Sequence, residues 1–169
     1  YELQTVIFYL FLHVLFIKLV FKEKLKNYGL RIFKIKKTLL YTCIGIFFSI
    51  AVTFIAVNFF LSITRYYSNY NFNIRLILNT LIYMIAWEFI FRGYILFGLK
   101  KYTGKFYANI IQTLLFFLAH IGKPELELYS TLITGMLFGY LSFKTKSYFP
   151  MVIIHTSIML STVYFVNFI

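Results

Sequence analysis

Apolar residues run along this chain in long stretches separated by polar clusters, with no alternation of period two. Six stretches stand out, at 3–21, 38–64, 76–99, 106–122, 128–143 and 147–169, with lengths of 19, 27, 24, 17, 16 and 23 residues. The hydrocarbon core of a bilayer, about 30 Å thick, takes about 20 helical residues, with roughly 17 to 25 the usual range. Four stretches fit directly, the second fits when tilted, and the fifth is short. Backbone polar groups must be paired in lipid, and the alternating pattern of a barrel strand is missing, so helices remain. The expected fold is all-α, a polytopic transmembrane helical bundle of about six spans.

Composition strengthens that reading. Hydrophobic residues make up 61% of the 169 and charged ones only 13%, where a soluble domain carries about 25% charged. A core of this size could not bury so much apolar surface from water, so most of it faces lipid. The net charge of +12, from 17 Lys and Arg against five Glu, raises nucleic acid as a partner. The basic residues lie between apolar runs instead of along one face, however, so depth in the membrane explains them and nucleic acid is not expected. If 22–37 is cytoplasmic, the inside loops collect twelve basic residues and the outside loops hold only Arg65, Arg75 and Lys123. The positive-inside bias then sets six spans with the N-terminus outside. Lys18 snorkels from the inner end of the first span.

The 22–37 segment interleaves seven basic residues with Leu, Ile and Phe, the pattern of an amphipathic helix on anionic headgroups. On this reading 1–37 is a first span with a basic cytoplasmic loop, and 38–169 is the helical membrane domain. Cys43, the one cysteine, leaves no intrachain disulfide and no thiol cluster for a metal. A start at Tyr1 instead of Met is what a fragment or processed form shows.

Chemistry enters where charge sits inside an apolar run. A carboxylate near the middle of a membrane helix costs a few kcal/mol and marks a functional site by default. Glu88 is that residue, in Ala86-Trp87-Glu88-Phe89-Ile90-Phe91-Arg92-Gly93. Arg92 is four residues on, so the two share a helix face and can pair. His120 closes the fourth stretch and His155 lies within the sixth. A Glu–Arg pair alone is explained by packing; two histidines on two further helices are harder to explain so. Glu and His together activate a water while the second His donates to a developing oxyanion. The same His2Glu set can instead bind zinc, and spacing does not choose between them. Glu127, in Lys123-Pro124-Glu125-Leu126-Glu127, is a second carboxylate to keep beside the solvated-loop reading. His13 stands apart and reads as structural. Gly135 and Gly139 form a GxxxG pattern that lets helices approach closely.

These residues resemble the CPBP family of membrane proteins, also called Abi, which includes the type II CAAX prenyl endopeptidases. The resemblance covers about 76–161. The family's EExxxR motif is met by Trp87-Glu88-Phe89-Ile90-Phe91-Arg92, its FxxxH motif by Phe116 to His120, and its HxxxN motif begins at His155. Trp87 stands where the family has its first Glu, the general base, and Met159 where it has the Asn that assists the oxyanion. Residues His120 to Glu127 resemble a branch that carries WEF with HxGKPxxE, in which Glu127 belongs to the site. Adjacent helical residues point about 100° apart, so Glu88 does not simply replace a carboxylate at 87.

The resemblance implies an intramembrane endopeptidase in a bacterial cell membrane, acting on a membrane protein or peptide. In it Glu88, or alternatively Glu127, activates water with His120, His155 stabilises the oxyanion, and Arg92 holds Glu88. No metal and no other cofactor is implied. Richness in Phe, Tyr, Ile, Lys and Asn suggests an AT-rich bacterial genome and argues against prenylated CAAX proteins as the native substrate. Loss of the first Glu and the Asn favours a different reading, a catalytically silent scaffold or immunity factor with a partner protein. A third, an ion relay through the same residues, predicts a continuous polar path. Counting depth from the loop ends puts Glu88 near midplane, His120 near the outer end and His155 nearer the inner side. Convergence then requires tilt, or a fold-back of 122–127 into the bundle.

Overall fold

The computed structural model describes residue 4 and residues 6–31 and 35–169. Lys34 and the start of the first expected span lie outside them. Every regular element among the described residues is helical. Helix α1 runs over Val6–Val20 and a 3-10 turn over Leu25–Tyr28. Helix α2 covers Ile35–Phe59 and α3 Leu61–Tyr67. Helix α4 covers Ile74–Glu88 and continues as a π-helical stretch, Phe89–Ile95, into α5, Leu96–Leu118. Helices α6, Glu125–Thr145, and α7, Phe149–Phe168, complete the bundle.

Among the described residues three helical runs are long and apolar enough to cross a membrane: Ile35–Phe59, Ile74–Leu118 and Phe149–Phe168. The second contains two of the expected stretches, divided at Gly104, whose φ of 76° breaks the helical path where a Cβ would be strained. The expected second stretch does not continue to 64. Phe60 is extended, at φ −125° and ψ 95°, and separates α2 from α3. The fourth stretch ends as helix at Leu118, four residues before 122, so His120 lies in a turn. Helix α6 begins at Glu125, earlier than 128, because Pro124 opens it and Glu125 and Glu127 suit the positive end of its dipole. Asn73 caps α4 by accepting from Leu76 N at 2.9 Å.

The basic 22–37 segment is not one amphipathic helix. Its chain turns at Gly29, in the left-handed region at φ 78°. Tyr28 is buried there, with its ring stacked 6.3 Å from that of Tyr94. Lys101 pairs with Glu23, Arg31 Nε donates to Lys146 O at 3.1 Å, and Tyr148 N donates to Gly29 O at 3.4 Å. Anchoring of Tyr28 in the bundle thus outweighs the helical pattern. These contacts gather the basic residues at one end. At the other end Tyr67 meets Glu127, and Asn167 bonds Tyr70 O at 2.9 Å.

Helix α2 packs on α7, α4 on α7 and on α1, and α5 on α6. The last pair is close because of Gly135 and Gly139. A Cβ at Gly135 would lie 2.8 Å from Thr113 Cγ2, and one at Gly139 would overlap the Asn109 carboxamide. That approach lets Asn109 Nδ2 donate to Met136 O and Gln112 Nε2 to Gly135 O, both at 2.9 Å. Small residues and interhelical hydrogen bonds serve in lipid the purpose that apolar burial serves in water. Large apolar side chains, such as Phe47 and Phe48, cover the outer face of α2, which also exposes Cys43.

Substituting Gly139→Val is therefore expected to destabilise the bundle by about 1–3 kcal/mol, the range for overpacking. Leu137→Ala, on the exposed side of the same helix, is expected to change little. Thermal unfolding in one detergent, compared between the two variants, checks the contrast.

Candidate active site

Glu88 lies where α4 gives way to its π-helical stretch, a widening often found at functional sites. Both Glu88 and Arg92 are fully buried, with Arg92 Nη1 donating to Glu88 Oε1 at 3.1 Å. The same oxygen accepts from His155 Nδ1 of α7 at 2.6 Å. The Arg92 guanidinium also sits over the Phe116 ring of α5 at 3.9 Å and the Phe138 ring of α6 at 5.2 Å. Aromatic faces and a carboxylate share the cation, which makes burial of the charge tolerable.

His120 stands in the turn just beyond the end of α5. From 105 to 118 it has fourteen helical residues, about 21 Å at 1.5 Å each, against a core of about 30 Å. The turn that follows buries His120 while Ala119, Ile121 and Gly122 stay exposed, and it satisfies its own backbone. His120 N donates to Phe117 O at 2.9 Å, Ile121 N to Leu118 O at 3.2 Å, and Lys123 N to His120 O at 3.0 Å. Gly122, at φ 95°, permits the reversal.

Both histidines are oriented through Nδ1. The ring of His120 bonds Phe116 O at 2.8 Å, and because a carbonyl only accepts, Nδ1 carries the proton and Nε2 the lone pair. His155 Nδ1 donates to the Glu88 carboxylate, which leaves its Nε2 in the same state. The two rings stand nearly parallel, with planes 20° apart and centroids 6.3 Å apart. They line a cavity of about 390 Å³ together with Tyr67, Trp87, Glu127 and Met159. Glu88 and Arg92 are not among its walls and lie behind His155. The neighbouring Trp87 faces it instead, edge-on to His120 at 5.9 Å.

Glu127, in the first turn of α6, accepts from the Tyr67 hydroxyl at 2.7 Å and pairs with Lys123 Nζ at 3.5 Å. Lys123 Nζ also lies 3.3 Å from the Tyr67 oxygen. Burial, and then the Glu127 carboxylate, push the Tyr67 hydroxyl above its ordinary range, so it remains a donor. Tyr67 and Lys123 are site residues that the sequence reading passed over. Sixty residues separate Tyr67 from its partner, and nothing local marks it. His13 lies elsewhere, with Nδ1 bonded to Phe8 O at 3.0 Å and its ring against Tyr94. Among the described residues no three His, Cys, Asp or Glu side chains form a metal-binding group. The arrangement brings two imidazoles to one cavity, one of them backed by a carboxylate. That is the geometry of a general base beside a water-positioning acceptor.

A family model described as "Rce1-like: Type II CAAX prenyl endopeptidase Rce1-like" matches residues 69–161. Comparison with curated proteins and with solved structures gives no match.

Because Arg92 compensates a buried carboxylate, Arg92→Met is expected to cost about 3–5 kcal/mol of stability, as for breaking a buried ion pair from one side. The double variant Glu88→Leu/Arg92→Met is expected to recover most of that loss. Denaturation of the three proteins in matched micelles reads the difference.

Proposed function

This chain belongs to the type II CAAX prenyl endopeptidase Rce1-like family, and on that premise we propose that it is an intramembrane endopeptidase that hydrolyses a peptide bond in the His120–His155 cavity. The observation that carries this reading is the carboxylate–imidazole dyad of Glu88 and His155, whose histidine lines a cavity that a second histidine also lines. A water bridging the two Nε2 atoms donates both its protons to them and directs an oxygen lone pair at the substrate carbonyl. As the water oxygen bonds the carbonyl carbon, His155 Nε2 takes its proton. The C–N bond then breaks, and His155 returns that proton to the leaving nitrogen. The products are a carboxylic acid and an amine. Glu88 is a positioning residue in this scheme. It fixes the His155 ring and supplies the counter-charge when that ring is protonated, while Arg92 holds Glu88. Lys123, a cation in the cavity wall, faces the developing oxyanion and is held by Glu127 and Tyr67.

The second reading, a membrane scaffold that binds a partner without hydrolysing it, draws on Trp87 and Met159. Both put apolar surface into the cavity at positions where the resemblance expects Glu and Asn. A single comparison separates the two. Membranes from cells expressing the wild type, His120→Ala, His155→Ala, Glu88→Gln and Glu127→Gln at matched levels are examined for new protein N-termini. Termini specific to the wild type, reduced about 10²–10⁴-fold in both histidine variants and in Glu88→Gln, are expected, with a smaller loss in Glu127→Gln. Equal loss in Glu127→Gln and His155→Ala would move the base to Glu127. Coincident profiles, with a phenotype that all variants share, would leave the scaffold.

A further inference from the structure

A second cavity of about 560 Å³ adjoins the first and shares Tyr83, Met84, Lys123 and Met159 with it. Its character is different. Four carboxamides, from Asn69, Asn71, Asn73 and Asn79, and two cations, Arg75 and Lys123, line it, with no acidic side chain among its walls. Its mouth is formed by the 68–73 connection and the first turns of α4, at the end of the bundle opposite the Glu23–Lys101 pair. The first cavity, by contrast, is walled chiefly by apolar side chains from α2, α4 and α7. One boundary separates a mainly apolar compartment that holds the histidines from a polar one that holds amides and positive charge.

We propose that this outer cavity binds an acidic segment of the polypeptide substrate, the apolar residues beside that segment entering the His120–His155 cavity. The inference rests on the endopeptidase reading and adds a substrate class to it: a chain in which a short apolar run adjoins Asp, Glu or a terminal carboxylate. Carboxamides each carry a donor and an acceptor; with the Asn73 oxygen capping α4, those of Asn69 and Asn71 match the backbone of an extended peptide without regard to its sequence. Selectivity comes from charge. Lys123 already pairs with Glu127 at 3.5 Å, so Arg75 is the cation that distinguishes acidic from basic segments. A guanidinium takes a carboxylate through two parallel hydrogen bonds. Lys123 belongs to both cavities and marks the passage between them, so the bond to be cut lies next to the acidic segment. A phospholipid headgroup offers the same anionic chemistry, and the experiment separates the two sources.

The test measures binding, so it does not depend on turnover. Wild type and His155→Ala are placed in nanodiscs of phosphatidylcholine, with or without phosphatidylglycerol. Each is titrated with three fluorescein-labelled peptides that share five apolar residues, followed by five residues rich in glutamate, lysine or serine. The glutamate peptide is expected to bind both proteins at least tenfold more tightly than the lysine peptide. Arg75→Glu is expected to remove that margin or invert it. This substitution puts an acid in the first turn of α4, which a helix N-terminus favours, so folding is retained. Arg65→Glu, at the same end but outside both cavities, is expected to leave the margin unchanged. Equal affinities for the three peptides, or equal effects of Arg75→Glu and Arg65→Glu, would overturn the inference. So would a glutamate preference that disappears when phosphatidylglycerol is present, because the cavity would then belong to lipid. Acidic-peptide binding without any cleavage would leave the inference standing and remove the endopeptidase reading instead.

Discussion

A carboxylate inside a lipid-embedded bundle must be paired, and the Glu88–Arg92–His155 cluster is how this fold meets that constraint. Glu88 and Arg92 come from α4 and its π-helical extension, and His155 comes from α7. Aromatic faces of α5 and α6, Phe116 and Phe138, cover the guanidinium. Four elements therefore meet at one ion pair, and none can move far without exposing charge to hydrocarbon. The same pairing turns one ring nitrogen of His155 inward and leaves the other for the cavity. The stability of the bundle and the geometry of the cavity thus depend on a single orientation.

Helix length is the second constraint. Helix α5 stops at Leu118, and the 119–124 turn bends the chain so that His120 is buried while Ala119, Ile121 and Gly122 stay exposed. Its hydrogen bonds close on themselves, and it carries His120 inward to stand beside His155. The two imidazoles come together through this turn and α7.

The all-α architecture was legible because apolar run length and backbone hydrogen bonding leave few solutions in lipid. Glu88, Arg92, His120 and His155 were legible because charge or imidazole in such runs is costly. Boundaries were less so. The end of α5 at Leu118 is set by turn hydrogen bonds, and the separation of α2 from α3 is set by one extended residue, Phe60. Neither leaves a mark in hydropathy. The 22–37 segment misled for a related reason: its spacing suits an amphipathic helix, but burial of Tyr28 and the left-handed Gly29 fix a different path. Tyr67 and Lys123 were invisible as a pair with Glu127, since an aromatic or a lysine at a loop end has many ordinary explanations and only the tertiary fold joins them.

Trp87 ties these threads together. Adjacent helical residues diverge by about 100°, so with Glu88 committed to His155 and Arg92, residue 87 must face the cavity. A carboxylate there would meet water directly. Tryptophan instead stacks on Tyr83 at 5.4 Å and packs against Phe91 at 5.1 Å and Tyr9 at 5.7 Å. The last contact belongs to α1, which lies outside residues 69–161 that the family model matches. Exchange of a charged wall for an aromatic one therefore does two things at once. It leaves the buried carboxylate paired with Arg92 and the His155 imidazole, and it gives the N-terminal helix an apolar surface on which to close the bundle. A carboxylate restored at 87 would oppose both, because it would confront the His120 ring and remove the surface on which Tyr9 rests.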